Sequence, residues 1–433
     1  MELEQQSKPN LEDASGRSAE DSVRVSIGIL AYNEESSIAG TIESILEQSI
    51  VTDPPAGWQV EIVCVPNGCT DRTAEVAEKA LAGITDRSEH SHVTAKVVSL
   101  QIPSKENAWN SFVHELSARA ATHLVFMDGD VRLLHPDTLK NLVGALCDNP
   151  LAHVAGAETV KHISNRASQN VFERVSMMAT RLRRSSNLER GIAGFAGCLY
   201  ATPASSSRRF VLPSIMRGED CFLRAIWSTD FFTVPVNTED RRRVIAAPDA
   251  TVLFEAYTSP RMVLKNLKRR AVEITINSMI YDRLWAESTN ERDAGALLLE
   301  WQRGDPDWDK KLLEAKIAER GRWVIPGGPF LRWIAPSGGL WRWFHRMKGM
   351  SLGKQAACLP VAMIGTVLQY YAYTAANRAI RSGALEGLWF TTETALDHDA
   401  RDLSLKTDPS AVTVSSGPGR PSETLDATDT THA

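Results

Sequence analysis

Residues 123–134 read HLVFMDGDVRLL, an apolar run that stops in two aspartates with one glycine between them. The run has the length and β-branched or aromatic content of a buried strand. Ending it in Asp128-Gly129-Asp130 places two like charges side by side, a repulsion that needs a reason. Two carboxylates at i and i+2 in a loop can converge on one divalent cation. Hard oxygen ligands suit Mg²⁺ or Mn²⁺, ions that keep waters and bind substrate phosphates as well. An Asp-Gly turn alone is ordinary loop chemistry, so the neighbouring segments decide.

Those segments alternate. VRVSIGIL (23–30), VEIVCV (60–65) and HVTAKVVSL (92–100) read as strands. Between them Ile38, Ile42, Ile45 and Leu46, then Ala77, Ala80 and Leu81, recur at helical spacing, and Trp109, Phe112, Val113 and Leu116 share a later helical face. Strand and helix in alternation predict an α/β fold with a mostly parallel sheet flanked by helices. In such sheets ligands sit beyond the carboxyl ends of the strands. The first strand runs into AYNEE (31–35), the second into PNGCTDRT (66–73) and the fourth into the aspartate pair. PSKENAWN (103–110) opens the third helix with Lys105 in its first turn. A lysine there opposes the helix dipole unless an anion is held beside it.

Composition bounds the rest. The chain has 433 residues and a net charge of −5, enough for a large core with an appendage and opposed to a nucleic-acid binder. Its six cysteines are scattered and lack zinc-site spacing, which predicts buried free thiols. Residues 1–22 are polar and hold no apolar stretch of the secretory kind, and residues 400–433 are rich in Ser, Thr, Pro and Gly; both read as disordered tails.

The motifs, taken in order, resemble the family 2 glycosyltransferases of the GT-A fold over about residues 23–285. The matching pieces are Ala31-Tyr32-Asn33-Glu34, Asn67-Gly68-Cys69-Thr70-Asp71, Lys105 with Ala108 and Asn110, Asp128-Gly129-Asp130, GFAGCLYA (194–201) and MRGEDCFLRAIW (216–227). The resemblance implies inverting transfer of a sugar from a nucleotide-diphosphate sugar, UDP- or GDP-linked, to an acceptor hydroxyl. Ala31, Tyr32, Asn33 and Glu34 would border the nucleotide. Asn67 stands where many members carry an aspartate that reads the uracil imide, and its amide oxygen can still accept that N–H. Asp128 would face the ribose and metal side and Asp130 would be the main metal ligand. Asp220 would be the general base and Glu219 would help place the acceptor. The stretch SPRMVLKNLKRRAVEI (259–274) lacks the Gln and Trp of the processive members' motif, which argues against a long-polymer synthase, but offers Arg269 and Arg270 to the diphosphate.

The last third differs in kind. Six of the eleven tryptophans lie between Trp301 and Trp343, and residues 321–385 hold eight Lys or Arg and no acid. Trp, Lys and Arg are the residues of a bilayer interface. Gln355 to Asn377 is uncharged for 23 residues, a length that can span. The expectation is a helical, Trp- and Arg-rich, membrane-associated region over 286–399, with the protein on the cytoplasmic face of a membrane as a peripheral or single-span protein. A lipid-linked or membrane-delivered acceptor of glycan biosynthesis follows from it. The rival readings are a nucleotidyltransferase, disfavoured because AYNEESS is not a glycine-rich basic loop, and a non-catalytic membrane partner, disfavoured by the presence together of Asp128, Asp130 and Asp220.

Overall fold

The computed structural model describes residues 23–82, 84, 91–162, 195–216, 218–235, 242–254, 260–325, 328–334, 341 and 351–383. The expected tails, together with Gly194, Arg217, Arg342, Trp343, Arg346 and Lys348, lie outside the described residues.

The alternation read from the sequence is present. The first half runs β1 (Arg24–Ala31), α1 (Ile38–Leu46), a short α2 (Ser49–Thr52), β2 (Gln59–Pro66), α3 (Thr73–Leu81), β3 (Val93–Val97), α4 (Lys105–Ser111) and β4 (His123–Asp128). α4 runs on through a wider, π-helical turn, Phe112–Leu116, a form that side-chain periodicity does not announce. Then follow β5 (Arg132–Leu133), α5 (Thr138–Cys147), β6 (Val154–Lys161), β7 (Leu199–Pro203), α6 (Ala204–Ser207), α7 (Glu219–Ser228) and β8 (Val244–Phe254). Five C-terminal helices close the described chain: α8 (Pro260–Glu287), α9 (Ala294–Gly304), α10 (Trp308–Arg320), α11 (Gly328–Ile334) and α12 (Leu352–Arg381).

The eight strands form one mixed sheet in the order β3-β2-β1-β4-β7-β6-β8-β5. β3, β2, β1 and β4 are parallel. β7 runs against both β4 and β6. Strand direction thus reverses beside β4, and in open α/β sheets such a change of order is where ligands bind at the strand ends. The chain leaves β4 at the sheet centre through Asp128-Gly129-Asp130 and re-enters as β5 on the far edge, against β8.

Side chains alternate across each strand, so β1 and β4 feed two cores. Ile27, Ile29, Val125 and Met127 pack beneath α1, α3 and α5. Leu124 and Phe126 face the other way, into a cluster with Trp109, Phe112, Tyr200, Trp227 and the buried stripes of α8 and α9. There Trp109 stacks on Phe126 at 5.4 Å, Phe126 stacks on Tyr200 at 4.7 Å, and the Trp109 indole N–H donates to the Tyr200 hydroxyl at 3.0 Å. Gly28 has no room for a side chain, because a Cβ would lie 2.7 Å from the Phe112 ring.

The tryptophans of the last third divide. Trp301 and Trp308 are core residues, tilted against each other at 4.8 Å with the Arg283 guanidinium 3.9 Å above Trp301. Trp323 and Trp341 are exposed, and Trp333 is half-buried, donating to the Thr366 carbonyl at 2.9 Å. α12 packs along α8 and buries Tyr373, Ala376 and Ile380 in the same cluster as the sheet. Its Asn377 amide accepts from the Val324 N–H at 2.9 Å and donates to the Arg322 carbonyl at 3.1 Å. Among the described residues no helix is long and apolar enough to cross a membrane. Gln355–Asn377 falls within α12, which is 30 residues long but interrupted by Pro360 and polar at Thr366, Gln369 and Asn377. Length sufficed for the spanning expectation; composition and the buried face do not.

Trp109 is fully buried and joins β4, β7 and α4. Trp109→Ala is expected to destabilise the protein by about 3–5 kcal/mol, the usual range for emptying such a site, as a lowered denaturant midpoint in equilibrium unfolding.

Candidate active site

Three loops meet at the carboxyl ends of β1, β2 and β4, and the first two are laced together. Asn33 adopts a left-handed conformation, φ 55°, which asparagine tolerates better than most residues. The turn lets its side chain accept from the Thr70 N–H at 2.8 Å, while its own N–H points at the Cys69 sulfur at 3.3 Å. The Glu34 N–H donates to the Thr73 hydroxyl at 2.8 Å and the Glu35 N–H to the Asp71 carboxylate at 3.0 Å. Buried Asn67 uses both its N–H and its side-chain amide to bond the Ala31 carbonyl, at 2.9 and 2.8 Å. Its Oδ1 has no hydrogen-bond partner. The Asn33 and Asn67 amide donors and acceptors named here thus shape the rim, with the Asn67 oxygen left over. Tyr32 is half-buried beside them.

The aspartate loop sits against this rim. A Cβ on Gly129 would come within 2.9 Å of the Ala31 Cβ, so the residue between the aspartates has to be glycine. The Gly129 carbonyl accepts from the hydroxyls of Thr41 (2.8 Å) and Ser37 (3.2 Å) on and before α1. Buried Arg132 fastens the same helix, donating to the Ser37 carbonyl at 3.0 Å and the Thr41 hydroxyl at 2.9 Å. Glu34 is buried and turned toward the aspartates. Burial, then the charge of Asp130, push its carboxyl up to about 8; Ser37 opposes, and Asp128 and Asp71 add to the rise. Oxygen-only donors crowded so that they repel one another match what Mg²⁺ or Mn²⁺ accepts.

Lys105 answers the question that its helix position raised. The anions beside it are the protein's own: its Nζ lies 2.6 Å from Asp128 and 2.6 Å from Glu219. Ser104 caps the helix, accepting from the Asn107 N–H at 3.2 Å. Burial alone would favour neutral lysine, but Asp128 and Glu219 overcome it and hold the ammonium well above its ordinary range. Burial pushes Asp128 up to about 7, with Lys105 pulling against it and Asp130 and Glu219 adding to it. One of the two oxygens of Asp128 is therefore engaged by Lys105.

Glu219 and Asp220 open α7, where acids suit the helix dipole. The Asp220 carboxylate accepts the N–H of Cys221 at 2.8 Å. Gly197, from the glycine segment before β7, lies against it; a Cβ there would stand 2.9 Å from the Asp220 Cβ and 3.2 Å from a Glu219 oxygen. The structure therefore brings Lys105, Asp128, Glu219 and Asp220 into one chain of contacts. Arg269 and Arg270 also arrive here. Their charges act on Glu273, one turn further along α8.

Glu273 was not singled out from the sequence. The available signal was a lone acid inside the apolar stripe Ala271, Val272, Ile276, all buried. Among the described residues, three ligand-type side chains bring donor atoms within 4.8 Å of one another at Asp220, Cys221 and Glu273. Among the described residues no such trio forms at Asp128 and Asp130, where a cation would need further oxygens to complete its shell.

Solved structures with a related shape include the Mycobacterium tuberculosis glucosyl-3-phosphoglycerate synthase with Mn²⁺, UDP and glucosyl-3-phosphoglycerate. It is 18% identical, the alignment covers 58% of this chain and 78% of that one, and the TM-score is 0.37. The same enzyme with Mn²⁺, UDP and phosphoglyceric acid gives 18%, 58% and 76%, with a TM-score of 0.38. A further mycobacterial protein gives 20%, 58% and 73%, at 0.35. Likeness at this level bears on neither substrate nor mechanism. No curated protein matches the chain. A family model does match, over residues 26–202, from β1 through the loops of Asn33, Asn67, Lys105 and Asp130 into β7. The matching model is that of the glycosyl transferase family 2.

Proposed function

We propose that the protein is an inverting, metal-dependent transferase that moves a sugar from a nucleotide-diphosphate sugar to a hydroxyl of a membrane-delivered, lipid-linked acceptor. The observation that carries this reading is the double contact of Lys105, which sets the donor-side carboxylate Asp128 and the acceptor-side carboxylate Glu219 against a single ammonium. A transferase needs its donor and acceptor held that close, in line across one carbon.

Asp220 takes the proton of the acceptor hydroxyl as its oxygen attacks the anomeric carbon, and Glu219 holds the acceptor in place. Lys105 keeps positive charge near the departing diphosphate, and Arg269 and Arg270 extend it. Asp130, with Asp128 beside it, would hold Mg²⁺ or Mn²⁺, which when bound neutralises the charge building on the leaving group. The orphan oxygen of Asn67 suits the ring N–H that uracil and guanine both carry, in keeping with a UDP- or GDP-linked donor.

The membrane part of the reading rests on α12. Leu352, Leu359, Met363, Ile364, Val367 and Tyr371 are exposed and recur at helical spacing along the face turned away from α8, and Phe330 and Leu331 of α11 are exposed as well. An apolar stripe on a helix too polar to span is the pattern of a segment lying in the interface. The acid-free stretch 321–385 supplies eight cations for an anionic headgroup layer, each worth about 1 kcal/mol near the surface. In this reading the protein works on the cytoplasmic face of a membrane, and the exposed apolar stripe with its basic surroundings is what supports membrane contact.

Three outcomes test the proposal. Asp130→Ala should abolish turnover and remove the Mn²⁺-dependent part of nucleotide affinity in titration calorimetry; unchanged metal dependence refutes Asp130 as ligand. Asp220→Asn should leave donor affinity nearly intact while turnover falls by roughly 10²-fold or more; a collapse of donor affinity with normal chemistry on bound donor would make Asp220 a binding residue instead. Full-length protein should co-sediment with anionic vesicles, and Ile364→Asp with Val367→Asp should release it. Salt should weaken only the electrostatic share, and wild type left in the supernatant at low salt ends the membrane reading.

A further inference from the structure

Glu273 sits on the core face of α8, between Val272 and Ile276, and is 3% exposed. A carboxylate in such a place is costly unless it is paired, yet its Oε1 has no hydrogen-bond partner. The side chain is aimed at the start of α7. A Cβ on Gly218 would come within 2.1 Å of its carboxyl carbon. One of its oxygens, an Asp220 oxygen and the Cys221 sulfur all lie within 4.8 Å of one another. The two helices are pinned at this point: the Tyr281 hydroxyl donates to the Cys221 carbonyl at 3.1 Å, and the Asn277 amide to the Gly218 carbonyl at 3.4 Å. The charge of Asp220 acts on Glu273 more strongly than that of Arg270 or of Arg269. Asp220 and Cys221 are only half-buried, so solvent reaches the trio from the α7 side.

Carboxylates alone would suit Mg²⁺ or Mn²⁺, as at Asp128 and Asp130, but a sulfur among them shifts the choice to a softer ion. We propose that Asp220, Cys221 and Glu273 form an inhibitory site for Zn²⁺, distinct from the aspartate loop, whose occupancy silences the enzyme by engaging its base. Three protein ligands leave a fourth tetrahedral position for water. With Zn–S of about 2.3 Å and Zn–O of about 2.0–2.2 Å, the ligand atoms round one ion stand roughly 3.5 Å apart, a span that rotation of the half-buried Asp220 and Cys221 side chains reaches from 4.8 Å. Burial first, then the charges of Asp220 and Glu273, push the Cys221 thiol up, so the sulfur carries its proton until a cation arrives. On binding, the S–H bond breaks, the proton passes to water and the sulfur electron pair forms the bond to the metal; nothing is oxidised. The same cation pairs the buried charge of Glu273. With an oxygen on the metal, Asp220 no longer takes the acceptor proton. That inhibition rests on the reading of Asp220 as base; the metal site itself does not.

Two readouts on the full-length chain test it, one of binding and one of turnover. Cd²⁺ stands in for Zn²⁺ because a cadmium–thiolate bond absorbs in the ultraviolet. Titration of wild type with Cd²⁺ in excess Mg²⁺ should raise that charge-transfer band, and Cys221→Ser should lose it although Cys64, Cys69, Cys147, Cys198 and Cys358 remain. A band equally strong in Cys221→Ser, or none in wild type, overturns the site whatever reaction the enzyme runs. For turnover, Zn²⁺ added at saturating Mg²⁺ should lower the rate by roughly 10²-fold, the scale of a lost general base, with donor affinity unchanged. Cys221→Ser should keep wild-type turnover without Zn²⁺. It should need at least about tenfold more Zn²⁺ for half-inhibition, since even an outer-shell partner is worth that much in metal affinity. Glu273→Gln should show the same loss of zinc sensitivity, and if it does not fold, Cys221→Ser carries the test alone. Zinc inhibition undiminished in Cys221→Ser puts the ion at the aspartate loop and refutes the proposal. A cadmium band that depends on Cys221, with turnover indifferent to Zn²⁺, keeps the metal site and removes Asp220 as base, and with it the inhibitory role.

Discussion

One ammonium group holds the two halves of the site together. Lys105 lies between Asp128, at the end of the central strand, and Glu219, at the start of α7, and its side chain is only 12% exposed. A buried cation with two close carboxylates is stable only as a unit, since removal of one partner leaves charge stranded in a poor solvent. The parallel half of the sheet, which ends in β4, and the antiparallel half, which begins with β7 and leads to α7, are thereby fixed relative to each other at their open ends. Beneath them the stack of Trp109, Phe126 and Tyr200 does the same in apolar terms. The site is thus built across the seam where strand direction reverses, with the ion triad above and the aromatic rings below.

The parallel half was legible in the sequence because each of its signals is local. β-Branched runs, helical spacing at Ile38, Ile42 and Ile45, and polar loops after each strand all lie within a few residues of one another. The aspartate loop was legible for the same reason, and so were Glu219 and Asp220 once the motif order was known. What escaped depends on contacts distant along the chain. Nothing near Lys105 says that its anions are Asp128 and Glu219 rather than a ligand. Nothing near Glu273 says that a helix beginning 40 residues after Asp220 will return to lie on Gly218. The tryptophans show the limit of composition: Trp301, Trp308, Trp323 and Trp341 each have a basic residue within two positions, yet the first two are core and the last two are exposed.

Carboxylates are concentrated at this seam in a way that separates stability from chemistry. Glu34, Asp128 and Glu273 are all held above the ordinary carboxyl range, to about 8, 7 and 7, with burial as the leading cause. A fold selected for stability alone would not bury three acids within reach of other acids. Such groups stabilise the protein when protonated and destabilise it when charged, so near neutral pH the site works against the fold that carries it.

The glycine between the aspartates has a consequence for how the motif is to be understood. Its place is set by the Ala31 side chain, 2.9 Å from where a Cβ would be, and not by anything a substrate touches. A mutational scan of the loop would find three sensitive positions in a row and would invite the inference of three functional groups. Two of those sensitivities would be chemical and the middle one purely steric. A smaller residue at position 31, Ala31→Gly, is the change that would tell them apart, because it could restore an alanine at position 129 without restoring an alanine at 128 or 130.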